Sequence, residues 1–281
     1  MEVFVIDNNS RDDSVDSLRR DFPQIQLIEN KENVGFSRAN NQGISKASGQ
    51  YVLLLNPDTF WVDDSLQRMV SFMENRQEIG VVGPKLLNAD GKSVQFWCAR
   101  RLPRPRDTFF EFTKLSYLFP NNRLTGRYLM SYWDHNDSRK VECLSGACLL
   151  IRRETLSEVG LLDESYPLYC EDTDWCHRVG LSRWHLHYYA EAQLIHIGQQ
   201  SSLQNRGLST VMAVRGLYRY YRKFYGNATA LWIWFLICSV SVAKLIVWAL
   251  IFVIRSNDQR RIARNQVKAY WMICRLLPEK V

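Results

Sequence analysis

The chain has 281 residues, a formal net charge of +7 and 46% hydrophobic residues, a length that suits one large domain with an appendage and hence one active site. Its seven cysteines (Cys98, Cys143, Cys148, Cys170, Cys176, Cys238 and Cys274) form no Cys-x-x-Cys pair and keep no regular spacing, which argues against a disulfide scaffold. Residues 1–30 hold no basic segment followed by an apolar one, so the globular part is expected in the cytoplasm, and the basic residues gather toward the C-terminus among apolar ones, which favours lipid over nucleic acid as the anionic partner.

Residues 2–6 and 51–55 are short, largely apolar runs that suit strands buried on both faces of a sheet. Between them lie an amphipathic helix at 14–21, a strand at 25–29 and a helix at 37–47, an alternation that predicts a Rossmann-like α/β sheet, mixed but mostly parallel. A helix at 64–75 follows, then strands at 79–83 and 94–97 around the turn Asn88-Ala89-Asp90-Gly91, which bring antiparallel character. Residues 99–140 show no clear period. Residues 141–151 read as a buried strand interrupted by Ser145-Gly146-Ala147, where glycine permits close backbone approach.

The composition changes after residue 205, which predicts two parts, 1–205 and 206–281. Arg215, Arg219, Arg222 and Lys223 interleave with Tyr218, Tyr220, Tyr221, Phe224 and Tyr225, a mixture that suits a membrane interface. The 27 residues 228–254 are almost wholly apolar, with Lys244 the one charge, and are long enough to span a hydrocarbon core of ~30 Å. Residues 255–281 add seven basic residues against Asp258 and Glu279. Both flanks are therefore positive, and the orientation stays open between a single span, a helix lying in or re-entering the interface with Lys244 snorkelling, and a buried soluble helix. The tail 206–281 is expected to hold the protein at the cytoplasmic face of the membrane.

Ligands of open α/β sheets bind beyond the carboxyl ends of the strands, where Asp7-Asn8-Asn9-Ser10 and Asn56-Pro57-Asp58 fall; the plainer reading is that Asp7 and Asp58 cap turns or helices. Glu171, Asp172 and Asp174 crowd a helix start beside Trp175. Either they stabilise the helix dipole, or one takes a proton from an attacking hydroxyl while its neighbour raises its pKa. His196 closes the apolar run 192–195 and is either a core histidine or a partner of Asp58 in a Mg or Mn diphosphate site. His185 and His187, alternating with Tyr189, read as structural. The stretch 33–43 begins as a turn and enters a helix whose N-terminus can receive phosphate or ribose oxygens.

Taken together, Val5-Ile6-Asp7-Asn8-Asn9-Ser10, Asn33-Val34-Gly35-Phe36-Ser37-Arg38-Ala39-Asn40-Asn41, Asn56-Pro57-Asp58, Ser145-Gly146-Ala147-Cys148 and Glu171-Asp172-Thr173-Asp174-Trp175-Cys176 resemble, in order and spacing, family 2 glycosyltransferases. The likeness covers residues 2–202 and is closest to the rhamnosyltransferase-like branch that builds bacterial surface polysaccharides. It implies a GT-A fold and an inverting transfer of sugar from a nucleotide-diphosphate donor, dTDP-rhamnose being a first one to try, to a lipid-linked or polysaccharide hydroxyl, with Mg or Mn as cofactor. Asp58 stands where the family has its metal-binding Asp-x-Asp motif and alone retains the carboxylate, with His196 beside the metal diphosphate. The resemblance places Asp172, or in second place Glu171, as catalytic base. It places Asp7, Asn9, Asn33, Gly35, Arg38, Asn40 and Asn56 around the donor, Gly146 and Ala147 in its sugar pocket, and Asp174 and Trp175 toward the acceptor.

Family members carry a further apolar strand and helix ahead of the segment equivalent to residues 2–6. Without them an open sheet edge is expected on the nucleobase side. A late start, a truncated gene or a strand lent by another polypeptide would each account for it, and an inactive relic or a carbohydrate- or nucleotide-binding membrane partner is the alternative to an enzyme.

Overall fold

The computed structural model describes residues 1–166, 168–198, 206–254, 264, 267, 268, 270–273 and 275. Pro167, the stretch 199–205, Cys274 and most of the expected basic tail, including Arg255, Arg260, Arg261 and Lys280, lie outside the described residues. In chain order the elements are β1 (Phe4–Asp7), α1 (Ser14–Asp21), β2 (Gln26–Glu29), α2 (Phe36–Lys46), β3 (Tyr51–Leu55), β4 (Thr59–Val62), α3 (Ser65–Glu74), β5 (Ile79–Leu87), β6 (Ala99–Arg100), α4 (Pro105–Thr113), α5 (Leu115–Leu118), β7 (Arg139–Val141), β8 (Cys143–Leu144), β9 (Cys148–Arg152), α6 (Arg153–Val159), α7 (Glu171–Gly180), β10 (His185–His196) and α8 (Arg206–Ile254). They form two compact units, one of residues 1–100 with 135–197 and one of residues 101–134 with 198–281. The aperiodic segment 101–134 therefore groups with the C-terminal helix and not with the remainder of 1–205.

The first unit is built on a six-stranded mixed sheet of order β3-β9-β5-β10-β4, with β7 also on β10. Its centre is made by the apolar runs: Val52, Leu54, Val81, Val82, Leu149, Leu150 and Ile151 are all buried. Strand β9 lies antiparallel between β3 and β5, whereas β5 and β10 run parallel. The register of β10 on β5 shifts between Tyr189 and Gln193, an irregularity of the kind that bends a strand and re-aims its end. That end carries His196.

Strands β1 and β2 pair in parallel but form a sheet of their own, with no ladder to β3. All four residues of β1 are half-buried, so the expectation of a strand buried on both faces does not hold for it. Helix α2 covers one side: a Cβ at Gly43 would stand 3.0 Å from Ile6 Cδ1, so the close packing of helix on strand uses the missing side chain.

Two expected strands came out differently. Only Val94 bridges Leu87, with the Gln95 N–H donating to the Leu86 carbonyl at 2.9 Å, and Phe96–Cys98 is a 3-10 turn; the Gln95 side chain turns to His196. The run 141–151 splits into β8 and β9 at the Ser145-Gly146-Ala147 bend. Strand β4, absent from the sequence reading, follows from the turn at Asn56-Pro57-Asp58 folding the chain back onto β10.

In the second unit α4 begins with Pro105 in its first turn and Asp107 accepting the Arg104 N–H at 2.9 Å, an arrangement suited to a helix start. Helix α8 is interrupted at Gly226 (φ 84°, ψ 168°), where the composition turns from basic-aromatic to apolar. Tyr218, Tyr220 and Tyr221 are buried, and the Tyr221 hydroxyl lies 2.7 Å from Thr108 Oγ1, so these rings, expected at a membrane interface, are instead used in packing. Residues Ser209–Ile251 make a helix of 43 residues apolar enough to cross a membrane, with 22% of its most apolar window buried. Cys98, Cys143, Cys148, Cys170 and Cys176 are free thiols.

Candidate active site

The turn after β3 is closed by Thr59 Oγ1, which donates to the Asn56 carbonyl at 2.7 Å. The antiparallel ladder that follows sets Thr59 opposite His196, and the Ile197 N–H donates to the Asp58 carbonyl at 3.0 Å. This register brings His196 Nε2 to 3.3 Å from Asp58 Oδ1 and 3.4 Å from Asn56 Nδ2. Gln95 fixes the ring: its Nε2 donates to the His196 carbonyl at 2.7 Å, which orients the amide so that Oε1 faces His196 Nδ1 at 3.0 Å. An amide oxygen only accepts, so Nδ1 carries a proton and Nε2 is the ring nitrogen that faces the Asp58 carboxylate. Two acceptors 3.3 Å apart repel unless a proton or a cation lies between them. The donor set, one carboxylate oxygen and one imidazole nitrogen held by an outer amide, therefore fits Mg or Mn as two of its ligands. Among the described residues no group of three His, Cys, Asp or Glu side chains converges to cage an ion without outside oxygens.

The second cluster opens α7. Asp172 Oδ2 accepts from Arg100 Nη2 at 2.9 Å and from the Gly146 N–H at 3.2 Å, and Oδ1 accepts from the Thr173 N–H at 2.6 Å. Arg100 is itself held by the Trp97 carbonyl at 2.9 Å and Thr173 Oγ1 at 3.0 Å. Burial pushes the Asp172 carboxyl up, but the Arg100 charge and hydrogen bond, with the Gly146 and Thr173 donors, outweigh it and hold the pKa below the usual carboxylate range. Glu171 moves the other way, to about 8, through burial first and the Asp172 charge second. Its Oε2 is buried without a hydrogen-bond partner. Two adjacent carboxyls thus separate into one anion and one acid at neutral pH. Of the two, Asp172 is the more accessible, with its side chain 16% exposed, whereas Glu171 is buried.

The Ser145-Gly146-Ala147 bend joins the two clusters. Gly146 donates to Asp172, while the Ala147 carbonyl accepts the Asn56 N–H at 2.9 Å. A Cβ at Gly146 would stand 3.5 Å from Asp172 Cβ and 3.7 Å from the Phe36 ring, so the start of α2 reaches the same point. Asn56, Asp58, Gly146, Ala147, Asp172 and His196 are in this way assembled from four segments far apart in sequence.

At the end of β1 the Asp7 carboxylate accepts the N–H groups of Asn9 (3.2 Å) and Ser10 (3.3 Å), and Asn9 adopts a left-handed φ of 66°. Asn8, which the sequence reading passed over, ties this loop to the next: its Oδ1 accepts the Val34 N–H at 3.0 Å and its Nδ2 donates to Asn33 Oδ1 at 3.0 Å. Asn33 Oδ1 also accepts the N–H of Gly35, whose φ of 87° starts α2. Asn40 bonds the Phe36 carbonyl within α2 at 2.9 Å, and Arg38 projects outward, 60% exposed and 4.0 Å from Glu164. The acceptor-contacting role expected of Asp174 and Trp175 does not follow from this geometry. Both are fully buried; Asp174 bonds Arg178 at 2.9 Å and Tyr166 at 3.2 Å, and Trp175 Nε1 donates to the Gly160 carbonyl at 2.8 Å. Gln95 and Arg100 were missed as supporting residues because each acts through a contact remote in sequence. Arg100 stands among Arg101, Arg104 and Arg106, so the sequence does not single it out.

A model of the family described as Glycosyl transferase family 2 matches residues 1–160. The chain belongs to this family. It is 27% identical over 207 residues to the N-acetylglucosaminyl-diphospho-decaprenol L-rhamnosyltransferase of Mycobacterium tuberculosis, covering 70% of this chain and 66% of that protein. It is 26% identical over 169 residues to the rhamnosyltransferase WbbL of Escherichia coli, covering 58% of this chain and 60% of that protein. The chain therefore matches somewhat less than two thirds of the length of these relatives. Among solved structures it is similar to a mannosyltransferase of Pyrobaculum calidifontis in complex with GDP-Man and Mn2+, with TM-score 0.53 and 15% identity over 97% of this chain and 76% of that one. The shared fold is the GT-A fold expected from the resemblance.

Proposed function

We propose that this family 2 chain transfers a sugar from a nucleotide-diphosphate donor to a hydroxyl of a lipid-linked or polysaccharide acceptor, with inversion. The observation that carries the reading is the pairing of Asp58 with the oriented Nε2 of His196, joined through Asn56 and Ala147 to a loop whose other end holds ionised Asp172. Asp58 and His196 would hold Mg or Mn, which when bound supplies positive charge for the leaving diphosphate. Asp172 accepts the proton of the acceptor hydroxyl as it attacks, and Arg100 positions that carboxylate. Glu171, neutral at physiological pH, avoids a second negative charge beside it. Asp7, Asn9, Asn33 and Gly35 lie on or at the ends of the two loops tied by Asn8, Arg38 and Asn40 lie on the helix α2 that follows, and together they form the nucleotide side of the site.

The names of the relatives, two rhamnosyltransferases of which one acts on a diphospho-decaprenol-linked sugar, support a rhamnosyl donor and a lipid-linked acceptor; dTDP-rhamnose is the first donor to try, and the cytoplasmic face of the membrane is the place of action this reading assigns. The test is turnover of a panel of nucleotide-sugars by the purified chain, with Mg or Mn and lipid. Release of nucleoside diphosphate that depends on acceptor and metal, and that disappears in Asp172→Asn, supports the reading. A second reading, nucleotide binding without turnover, draws on the separate β1-β2 sheet on the nucleotide side. Retention of nucleotide with no product from any donor would favour it.

A further inference from the structure

The second unit carries apolar side chains that the transfer reaction does not use. Around α5 they lie close in sequence and open to solvent: Phe109 is 38% exposed, Tyr117 81%, Leu118 64%, Phe119 58% and Leu124 49%. Clustered exposed apolar residues of this size mark an interaction surface. The apolar half of α8 is two-faced. Ala230, Ile233, Ile237 and Ser241 are buried, whereas Leu231, Phe235, Val242 and Ile246 are exposed. A stripe of burial at helical spacing opposite a stripe of exposure belongs to a helix covered on one side by protein.

How this helix meets a bilayer follows from what it is tied to. Tyr225, just before the break at Gly226, donates its hydroxyl to the Pro103 carbonyl at 3.3 Å. Lys244, the one charge of the apolar run, donates to the Phe112 carbonyl at 2.8 Å. Phe112 lies in the last turn of α4, where carbonyls lack helical partners and the dipole is negative. The stretch between these two ties is roughly 28 Å of helix at 1.5 Å per residue, nearly the full thickness of a hydrocarbon core. Both ties lead to α4 and the residues before it, which carry Arg104, exposed Arg106 and the buried ion pair of Asp107 with Arg127. If the helix crossed the bilayer, it would carry those charges to bilayer depth, where charged side chains are strongly disfavoured. A helix lying in the interface leaves them at the headgroups.

We infer that the chain binds one leaflet without crossing it. The exposed face of the apolar half of α8 and the α5 tip around Tyr117, Leu118 and Phe119 enter the same acyl layer together. The partner is a membrane surface with anionic headgroups, because the stretch of chain that carries the tip also carries exposed Arg104, Arg106, Lys114 and Arg123, while the carboxylate of Asp107 is closed by Arg127. This second insertion point makes α5 a lipid-contacting element.

The experiment places an environment-sensitive fluorescent amino acid at Leu118 or at Phe235 in the full chain, reconstituted in vesicles of phosphatidylethanolamine and phosphatidylglycerol. Nitroxide quenchers are carried on the acyl chain either near the glycerol end or near the methyl end. Both positions are expected to lose most of their fluorescence to the shallow quencher and little to the deep one. An unquenched Leu118 overturns the α5 contact, and stronger deep than shallow quenching at Phe235 overturns the in-plane helix. A double variant Leu118→Glu with Phe119→Glu, both at exposed positions, is expected to weaken binding to these vesicles several-fold with unchanged melting in detergent. Unchanged vesicle affinity would also overturn the α5 contact.

Discussion

Each unit of the molecule contains a buried arginine holding an aspartate, and the two pairs differ in one respect that separates a site from a brace. In the second unit Arg127 and Asp107 meet at 2.7 Å with side chains 7% and 1% exposed, and Asp107 also accepts the Arg104 N–H at the start of α4. Its oxygens are enclosed. In the first unit Arg100 and Asp172 meet at 2.9 Å with 5% and 16% exposure, and the Asp172 carboxylate lies against the Gly146 bend beside the Asn56 turn. The charge chemistry is the same, yet only one carboxylate remains open to a reacting group. A buried arginine close to an aspartate is thus no signal of function until the aspartate's remaining exposure is known.

The sharpest way to break this contrast is to neutralise the open carboxylate. Asp172→Asn is expected to lower turnover about 10²–10⁴-fold, the usual contribution of a positioned general base, while the melting transition of the protein persists. A variant that turns over at the wild-type rate would remove Asp172 from the chemistry. The closed pair should respond the other way. Arg127→Ala leaves Asp107 buried and unpaired and is expected to cost about 3–5 kcal/mol of stability, read by denaturant unfolding, with turnover per folded molecule retained. Loss of turnover without loss of stability would mean that the enclosed pair is not merely a brace.

Gln95 tests the other cluster. Gln95→Leu frees the His196 ring, and an outer-shell change of this kind is expected to weaken Mn affinity about 10–100-fold, measured by titration of the metal with the whole chain. Unchanged affinity would show that the ring orientation is set elsewhere. The smallest effect concerns pH. Glu171 binds its proton more tightly in the fold than its ordinary value of 4.5, so its contribution to stability is complete below that value and is lost as pH rises toward about 8. Asp172, held low, contributes above its ordinary value and loses that contribution as pH falls through its depressed pKa. Melting temperature should therefore decline from mildly acidic to mildly alkaline pH, and Glu171→Gln should flatten that decline. An identical slope in the variant would assign the titration to other groups.

Much of the sheet was legible because its strands are apolar runs bounded by polar turns: 51–55 came out as expected, 79–83 is the first part of the longer β5, β9 is the second part of the run expected at 141–151, and α2 and α3 are shifted by a residue at their ends. The apolar run 228–254 was visible as well, since Lys244 is its one charge. What was not legible were the positions set by register. Strand β4 and the 3-10 turn at Phe96–Cys98 follow from which backbone edge β10 offers, and no local pattern encodes that choice.

The sequence by itself determined the chemical inventory: carboxylates at the ends of β1 and β3 and at the head of α7, a histidine closing β10, and small residues in the bend at 145–147. Those are properties of residue type and local period, and they survive without a partner. Only the tertiary structure decided which members of the inventory meet. Asp58 faces His196 because one antiparallel ladder has that register, and Asp172 is an anion beside a neutral Glu171 because Arg100 arrives from 72 positions away. Asp174 and Trp175 share the same motif but point into the core. Burial and charge proximity act through space, so the protonation and exposure that separate a reacting carboxylate from a structural one come from the packed fold.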